Sequence, residues 1–148
     1  MQFSITTEVD APPEVVFAVL SEVEGWPEWT PTVTRVERLG DAGAPLALGD
    51  RLRIVQPKVP PAEWTVTALE PGRGFRFVSR SPGATVEANH WAEPAGAGHR
   101  SRVTLSVTFG GVLGRVIGWT MRGLNQRYLA QEADGLKRRS EERARGTK

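Results

Sequence analysis

The stretch from Gly110 to Arg145 constrains the fold of this chain more than any other, because it holds its only long helical pattern. Leu113, Ile117, Met121, Leu124 and Tyr128 recur at steps of three and four, so they form one stripe of a 3.6-residue helix. At ~1.5 Å per residue the pattern predicts a rod of roughly 45 Å, long enough to cross a whole small domain. Gly118, Gly123 and Gly135 interrupt it. Each should cost about 1 kcal/mol relative to alanine unless a neighbouring group uses the missing side chain, which marks them as possible close-approach sites.

What precedes the rod reads as short strands. Gln2 to Val9 alternates Phe3, Ile5, Thr7 and Val9 against polar residues, the period of a half-buried strand. The segment DAPPEVVFAVLSEVEGW follows, with Pro12 and Pro13 suited to a first helical turn and Glu14 to its positive end. WPEW then forms a second short helical turn. Six further strands are expected at Thr32–Leu39, Asp50–Gln56, Ala62–Glu70, Phe75–Arg80, Ala84–Glu93 and Ser101–Phe109, and the short connections between most of them imply an antiparallel meander. An antiparallel sheet with one apolar face needs a single covering layer, which only the terminal helix is long enough to supply. The sheet must curl around it and leave a space on its concave face, where function is expected.

Composition narrows the function classes. The 148 residues fit one domain spanning 1–148, with a basic helix end at about 137–148. The absence of cysteine excludes disulfides, thiolate metal sites and cysteine nucleophiles. With only two histidines, no metal site and no cofactor are expected. No nucleophile elbow for a serine triad appears, and GGVLG lacks the lysine of a phosphate cradle. The first twenty residues carry Glu8, Asp10 and Glu14 where a secretory signal would be basic and then apolar, so a cytoplasmic location is expected. The most apolar window, Val103 to Met121, is broken by Arg115 and by glycines, so no integral membrane association is expected.

Charge is uneven: residues 1–50 hold two arginines against nine acids, while the tail from Lys137 to Lys148 holds six basic and two acidic side chains. Without interleaved aromatic residues this tail lacks a stacking platform, so no nucleic-acid partner is expected. It reads as a solvated helix end with cations near the negative dipole.

The opening VDAPPEVVFAVL, followed by WPEW and Pro31, resembles the start of the polyketide cyclase/dehydrase and lipid-transport superfamily, also called SRPBCC, which includes START and birch-pollen-allergen-like domains. The runs RIVQPKVPPAEWTVTALEPGRGFRFVSRSPG and NHWAEPAGAGHRSRVTL are similar to bacterial members. The resemblance covers nearly the whole chain. It implies an α+β helix-grip fold: a seven-stranded curved antiparallel sheet wrapped around a long C-terminal helix, two short N-terminal helices and an internal cavity.

Strand parity then selects candidate site residues. Val86, Ala88, His90 and Ala92 share the more apolar face of the sixth strand, which places His90 inward. There it can act as a general base, hold a ligand carbonyl, or sit neutral with one hydrogen bond. Trp64 with Val66, and Phe75 with Phe77, should line the concave wall, with Trp26 and Trp29 closing one end. Gln56 points inward from the third strand, Arg53 outward, and Ile117, Met121, Leu124 and Tyr128 supply the helix side. These residues are the expected ligand-binding set, and the expected partner is a small hydrophobic molecule: a lipid, isoprenoid, quinone or polyketide-like compound. A polyketide cyclase or dehydratase using His90 as base, and a regulatory protein-interaction module, are the alternative functions.

Overall fold

The computed structural model describes residues 1–40 and 43–146. Strand β1 (Gln2–Val9) leads into helix α1 (Pro13–Ser21) and a 3-10 helix (Val23–Glu28). Six strands follow: β2 (Arg35–Leu39), β3 (Arg51–Val55), β4 (Ala62–Glu70), β5 (Gly74–Ser81), β6 (Ala84–Ala95) and β7 (Arg100–Gly110). Helices α2 (Val112–Thr120) and α3 (Arg122–Gly146) end the chain. The seven strands form one antiparallel sheet in the order β1-β7-β6-β5-β4-β3-β2. The chain therefore crosses from one edge of the sheet to the other through α1 and the 3-10 helix, then returns strand by strand. This is the α+β helix-grip architecture that the sequence implies, a curved sheet around a long C-terminal helix.

Local chemistry accounts for the short N-terminal helices. Pro13 occupies the start of α1, where no amide donor is needed, and Val16, Val19 and Leu20 turn to the core while Glu14 lies in the first turn. The indole Nε1 of Trp26 donates to the Leu20 carbonyl at 2.9 Å, fixing the 3-10 helix against the end of α1. Phe75, Leu52, Leu105, Leu136 and Val66 are fully buried with them in one continuous core.

The terminal segment departs from the expected single rod. The helix breaks at Met121, whose φ of −104° and ψ of 16° leave the helical region, so α2 and α3 are separate elements. Helix α2 rests on β6 and β7, while α3 runs along β1 and α1. Glycine permits the first contact: a Cβ on Gly118 would come within 3.1 Å of the Phe109 ring, and one on Gly114 within 3.5 Å of Ala84. Gly135 permits the second, because a Cβ there would lie 1.9 Å from the Trp29 carbonyl oxygen. Gly123 meets only the end of the Arg127 side chain, so it is no close-approach site.

The break also shifts the inner stripe. From Met121 onward the buried face of α3 passes through Leu129, Ala133, Leu136 and Ser140, leaving Leu124 to one side and Leu113 largely exposed. Within the basic end, Lys137, Arg139 and Arg143 are engaged with the N-terminal third, while Arg138 and Arg145 are exposed. Arg143 forks onto both carboxylate oxygens of Glu22 at 2.8 and 2.9 Å, and Arg139 reaches Glu28 at 2.7 Å. Lys137 donates to the Glu8 carbonyl at 3.1 Å. Much of the uneven charge thus resolves into contacts between the acidic N-terminal third and the last turns of α3.

Candidate functional site

Between the concave face of the sheet and the first half of α3 lies a cavity of about 240 Å³, partly open to solvent. At ~30 Å³ per water this is room for about eight waters, or for one compact organic molecule. Its floor is built from β4, β5 and β6 through Trp64, Phe77, Ala88 and His90. Strands β3 and β7 add Ile54, Leu105 and Val107, and Trp26 closes it from the 3-10 helix. Ile117 and Met121 at the α2–α3 junction, with Val59 and Pro60 of the β3–β4 connection, complete the lining. The Tyr128 hydroxyl donates to the Pro57 carbonyl, tying that connection to α3.

Of the expected set, Trp26, Gln56, Trp64, Phe77, Ala88, His90, Ile117, Met121 and Tyr128 line the cavity. Trp29, Val66, Phe75 and Leu124 do not. Trp29 is buried where its carbonyl meets Gly135, and Phe75 lies fully buried behind the ring of His90, at a centroid distance of 4.9 Å. Val66 is buried just before a register shift in the β4–β5 pairing, and Leu124 is turned aside by the phase change at Met121. Strand parity says nothing of depth, and Val66 and Phe75 share the cavity's face of the sheet without reaching its surface.

His90 is 6% exposed and enclosed by Trp26, Phe75 and Phe77 at centroid distances of 5.4, 4.9 and 5.0 Å. Burial among these rings lowers its pKa from 6.5 to about 4, against an opposing hydrogen bond to the Phe75 main chain, so the imidazole is neutral at neutral pH. Its Nδ1 is buried without a partner. Two other polar atoms of lining residues share that condition, the indole Nε1 of Trp64 and the amide Nδ2 of Asn125. Buried polar atoms are ordinarily paired, because leaving one unmade costs about 1–3 kcal/mol. Three such atoms thus belong to residues that line one cavity.

Asn125 and Glu132 were not legible as site residues from the apolar stripe, yet they stand seven positions apart on the face of α3 that lines the cavity. The available signal was a lone amide and a lone carboxylate on a helix face otherwise completed by Leu129, Ala133 and Leu136. Glu132 accepts a hydrogen bond from Thr32 Oγ1 at 3.0 Å, and Thr32 is in turn paired with Thr30 Oγ1 at 2.9 Å. Burial raises its carboxyl from 4.5 to about 7, with the Thr32 bond opposing. No lysine or arginine is among the described lining residues. Among the described residues no three His, Asp or Glu side chains gather as a metal site would require, and no helix is long and apolar enough to cross a membrane.

A curved sheet gripping a C-terminal helix over an apolar cavity is the helix-grip class of domain. Residues 1–141 match the model of the family described as polyketide cyclase / dehydrase and lipid transport, and the chain belongs to that family. No curated protein sequence matches it. Among solved structures it is similar to the hypothetical protein jhp0584 from Helicobacter pylori, at 15% identity over 95% of this chain and 88% of that one, with a TM-score of 0.76. The Zhui aromatase/cyclase from Streptomyces sp. R1128 is similar at 19% identity over 98% of this chain and 93% of its own, with a TM-score of 0.67. A norcoclaurine synthase point mutant from Thalictrum flavum, in complex with a transition-state analogue, is similar at 14% identity over 97% and 95%, with a TM-score of 0.71. At these identities the likeness is one of fold.

Proposed function

We propose that the chain is a cytoplasmic binder or carrier of a small, uncharged, mainly apolar molecule that bears oxygen acceptors. The observation that carries this reading is the cavity itself, with Trp64 Nε1 and Asn125 Nδ2 buried at its wall as donors without acceptors. A ligand carbonyl or ether oxygen would accept from them once these side chains turn toward the cavity, and a protonated Glu132 would add a third donor. A carboxylate ligand is disfavoured, because it would be desolvated beside Glu132 with no cation to pair with. The family's name is consistent with ligands of this kind, whether lipid, isoprenoid, quinone or polyketide-like. Thermal unfolding with acetylnaphthalene, a neutral aromatic ketone, should show a rise in Tm, and naphthoate at pH above neutrality should show none. Native mass spectrometry of gently purified protein should also find a bound small molecule. An empty protein whose Tm ignores the ketone would sink the reading.

A second reading, a cyclase or dehydratase acting on a polyketide-like substrate, is favoured by one observation: two groups capable of proton transfer open onto the same cavity. His90 is neutral and able to accept a proton, and Glu132 titrates near neutral pH. On this reading His90→Ala abolishes turnover while ligand affinity is largely kept, and retained turnover in that variant rules His90 out as the base.

A further inference from the structure

Helix α2 is the element that neither the core nor the cavity fully uses. Its inner side is committed: Gly114 and Gly118 seat it on Ala84 and Phe109, and Ile117 lines the cavity. Its outer side carries four large apolar residues with little cover, Val112 at 85% exposure, Leu113 at 49%, Val116 at 53% and Trp119 at 55%. Four such side chains within nine residues make a contiguous patch, where scattered single ones would need no explanation.

The charged side chains within α2 and at the start of α3 have one sign. Arg115 lies within α2, and Arg122 at the start of α3 places its guanidinium 3.9 Å from the centre of the Trp119 ring while donating to the Trp119 carbonyl at 2.8 Å. Arg80 is exposed near the end of β5, whose turn into β6 accepts the first amides of α2 at the Gly83 carbonyl. From Gly110 to Gln131 there is no Asp or Glu, while Arg115, Arg122 and Arg127 fall in that span. Among the described residues, neither Arg115 nor Arg122 pairs with a carboxylate.

We propose that α2 is a membrane-surface element that lays Val112, Val116 and Trp119 into the headgroup boundary of an anionic bilayer, with Arg115 and Arg122 on the lipid phosphates. Apolar and aromatic side chains on one face of a short helix with arginines at its edge are what such a surface holds, the arginine stems lying along the apolar layer with their heads at the phosphates. A second copy of the chain fits less well, because an isologous contact on this patch would bring like-charged arginines together. The position of α2 adds a consequence. The same nine-residue helix touches the membrane with one face and the cavity with the other, through Ile117, so docking places the cavity beside the lipid phase. The inference goes beyond ligand binding and does not rest on it.

Flotation of the full chain with vesicles tests this. Phosphatidylcholine vesicles containing phosphatidylglycerol should carry the protein, phosphatidylcholine alone should carry little, and added salt should release it. The double variant V116S/W119S should lower the apparent partition coefficient by more than roughly tenfold. Arg115→Glu should lower it by at least about fivefold, since one basic side chain near an anionic surface already contributes that much. All three positions are exposed, and an unchanged thermal melt confirms that each variant is folded. The proposal is overturned if anionic vesicles do not bind. Binding that the double variant leaves unaltered overturns it as well, since the basic end of α3 would then be the attachment. So does a stable dimer in light scattering that Trp119→Ser dissolves. A protein that floats as predicted yet ignores every neutral ligand leaves this inference standing while removing the proposed function.

Discussion

The two halves of α3 are built to opposite standards. Its second half is fastened at every turn: Leu136 is fully buried, Gly135 lies against the Trp29 carbonyl, Arg139 and Arg143 hold Glu28 and Glu22, and Glu141 accepts from both Lys137 and the Asp10 amide. Its first half faces a cavity, with Asn125 lacking a partner on Nδ2 and Glu132 carrying a raised pKa. One helix thus serves as a pillar at one end and as a pocket wall at the other. The fastening is not complete, since Ser140 Oγ in the second half is buried without a partner just as Asn125 Nδ2 is in the first, but only Asn125 belongs to a residue that lines the cavity.

The largest effect that would separate the halves comes from two glycines in the same helix. Gly135→Ala forces a Cβ onto a backbone oxygen that cannot swing aside, so it should destabilise the fold by about 3 kcal/mol or more in urea denaturation. Gly123→Ala meets only a mobile arginine end and should stabilise by about 0.5–1 kcal/mol. Equal effects at the two positions would remove the distinction between pillar and wall.

The next effect is a pH signature of the cavity. Glu132 is raised from 4.5 to about 7, so its contribution to stability is fully present below pH 4.5 and is lost as pH rises through about 7. His90 is depressed from 6.5 to about 4, so its contribution is present above pH 6.5 and is lost as pH falls through about 4. The two oppose each other across the same window. Relative to the parent protein, Glu132→Gln should make stability rise with pH across it and His90→Asn should make it fall, each by on the order of 2–3 kcal/mol. Parallel curves for all three proteins would show that neither group is held as described.

Smallest is the clasp at the far end. Glu22 is about half exposed, and its carboxyl is held below the usual range chiefly by the hydrogen bond from Arg143. Arg143→Met should therefore cost no more than about 1 kcal/mol and leave the affinity of the cavity unchanged.

How much of this was legible in the sequence follows the reach of each signal. Alternation and proline placement located the strands and the α1 start because they depend on neighbours in sequence. The break at Met121 was not legible: the glycine penalty was visible, but what repays it is contact of Gly114 and Gly118 with β6 and β7, far away along the chain. His90 and Phe77 followed from parity, whereas the depth that separates Phe75 from Phe77 is a property of the whole sheet. Glu132 escaped because a stripe traced by apolar identity passes over the one carboxylate lying on it. The pairing of Arg139 and Arg143 with Glu28 and Glu22 was hidden for the same reason as the break, since it joins the two ends of the chain.

If the open half of α3 walls a ligand site, Ala88 offers the most direct test, because it lines the cavity and is paired across the sheet with the lining residues Phe77 and Val107. Titration calorimetry with acetylnaphthalene should give saturable binding to the parent protein and none to Ala88→Leu, whose added carbons fill the space while the thermal melt stays cooperative. Undiminished binding by Ala88→Leu would place the ligand elsewhere and contradict the account.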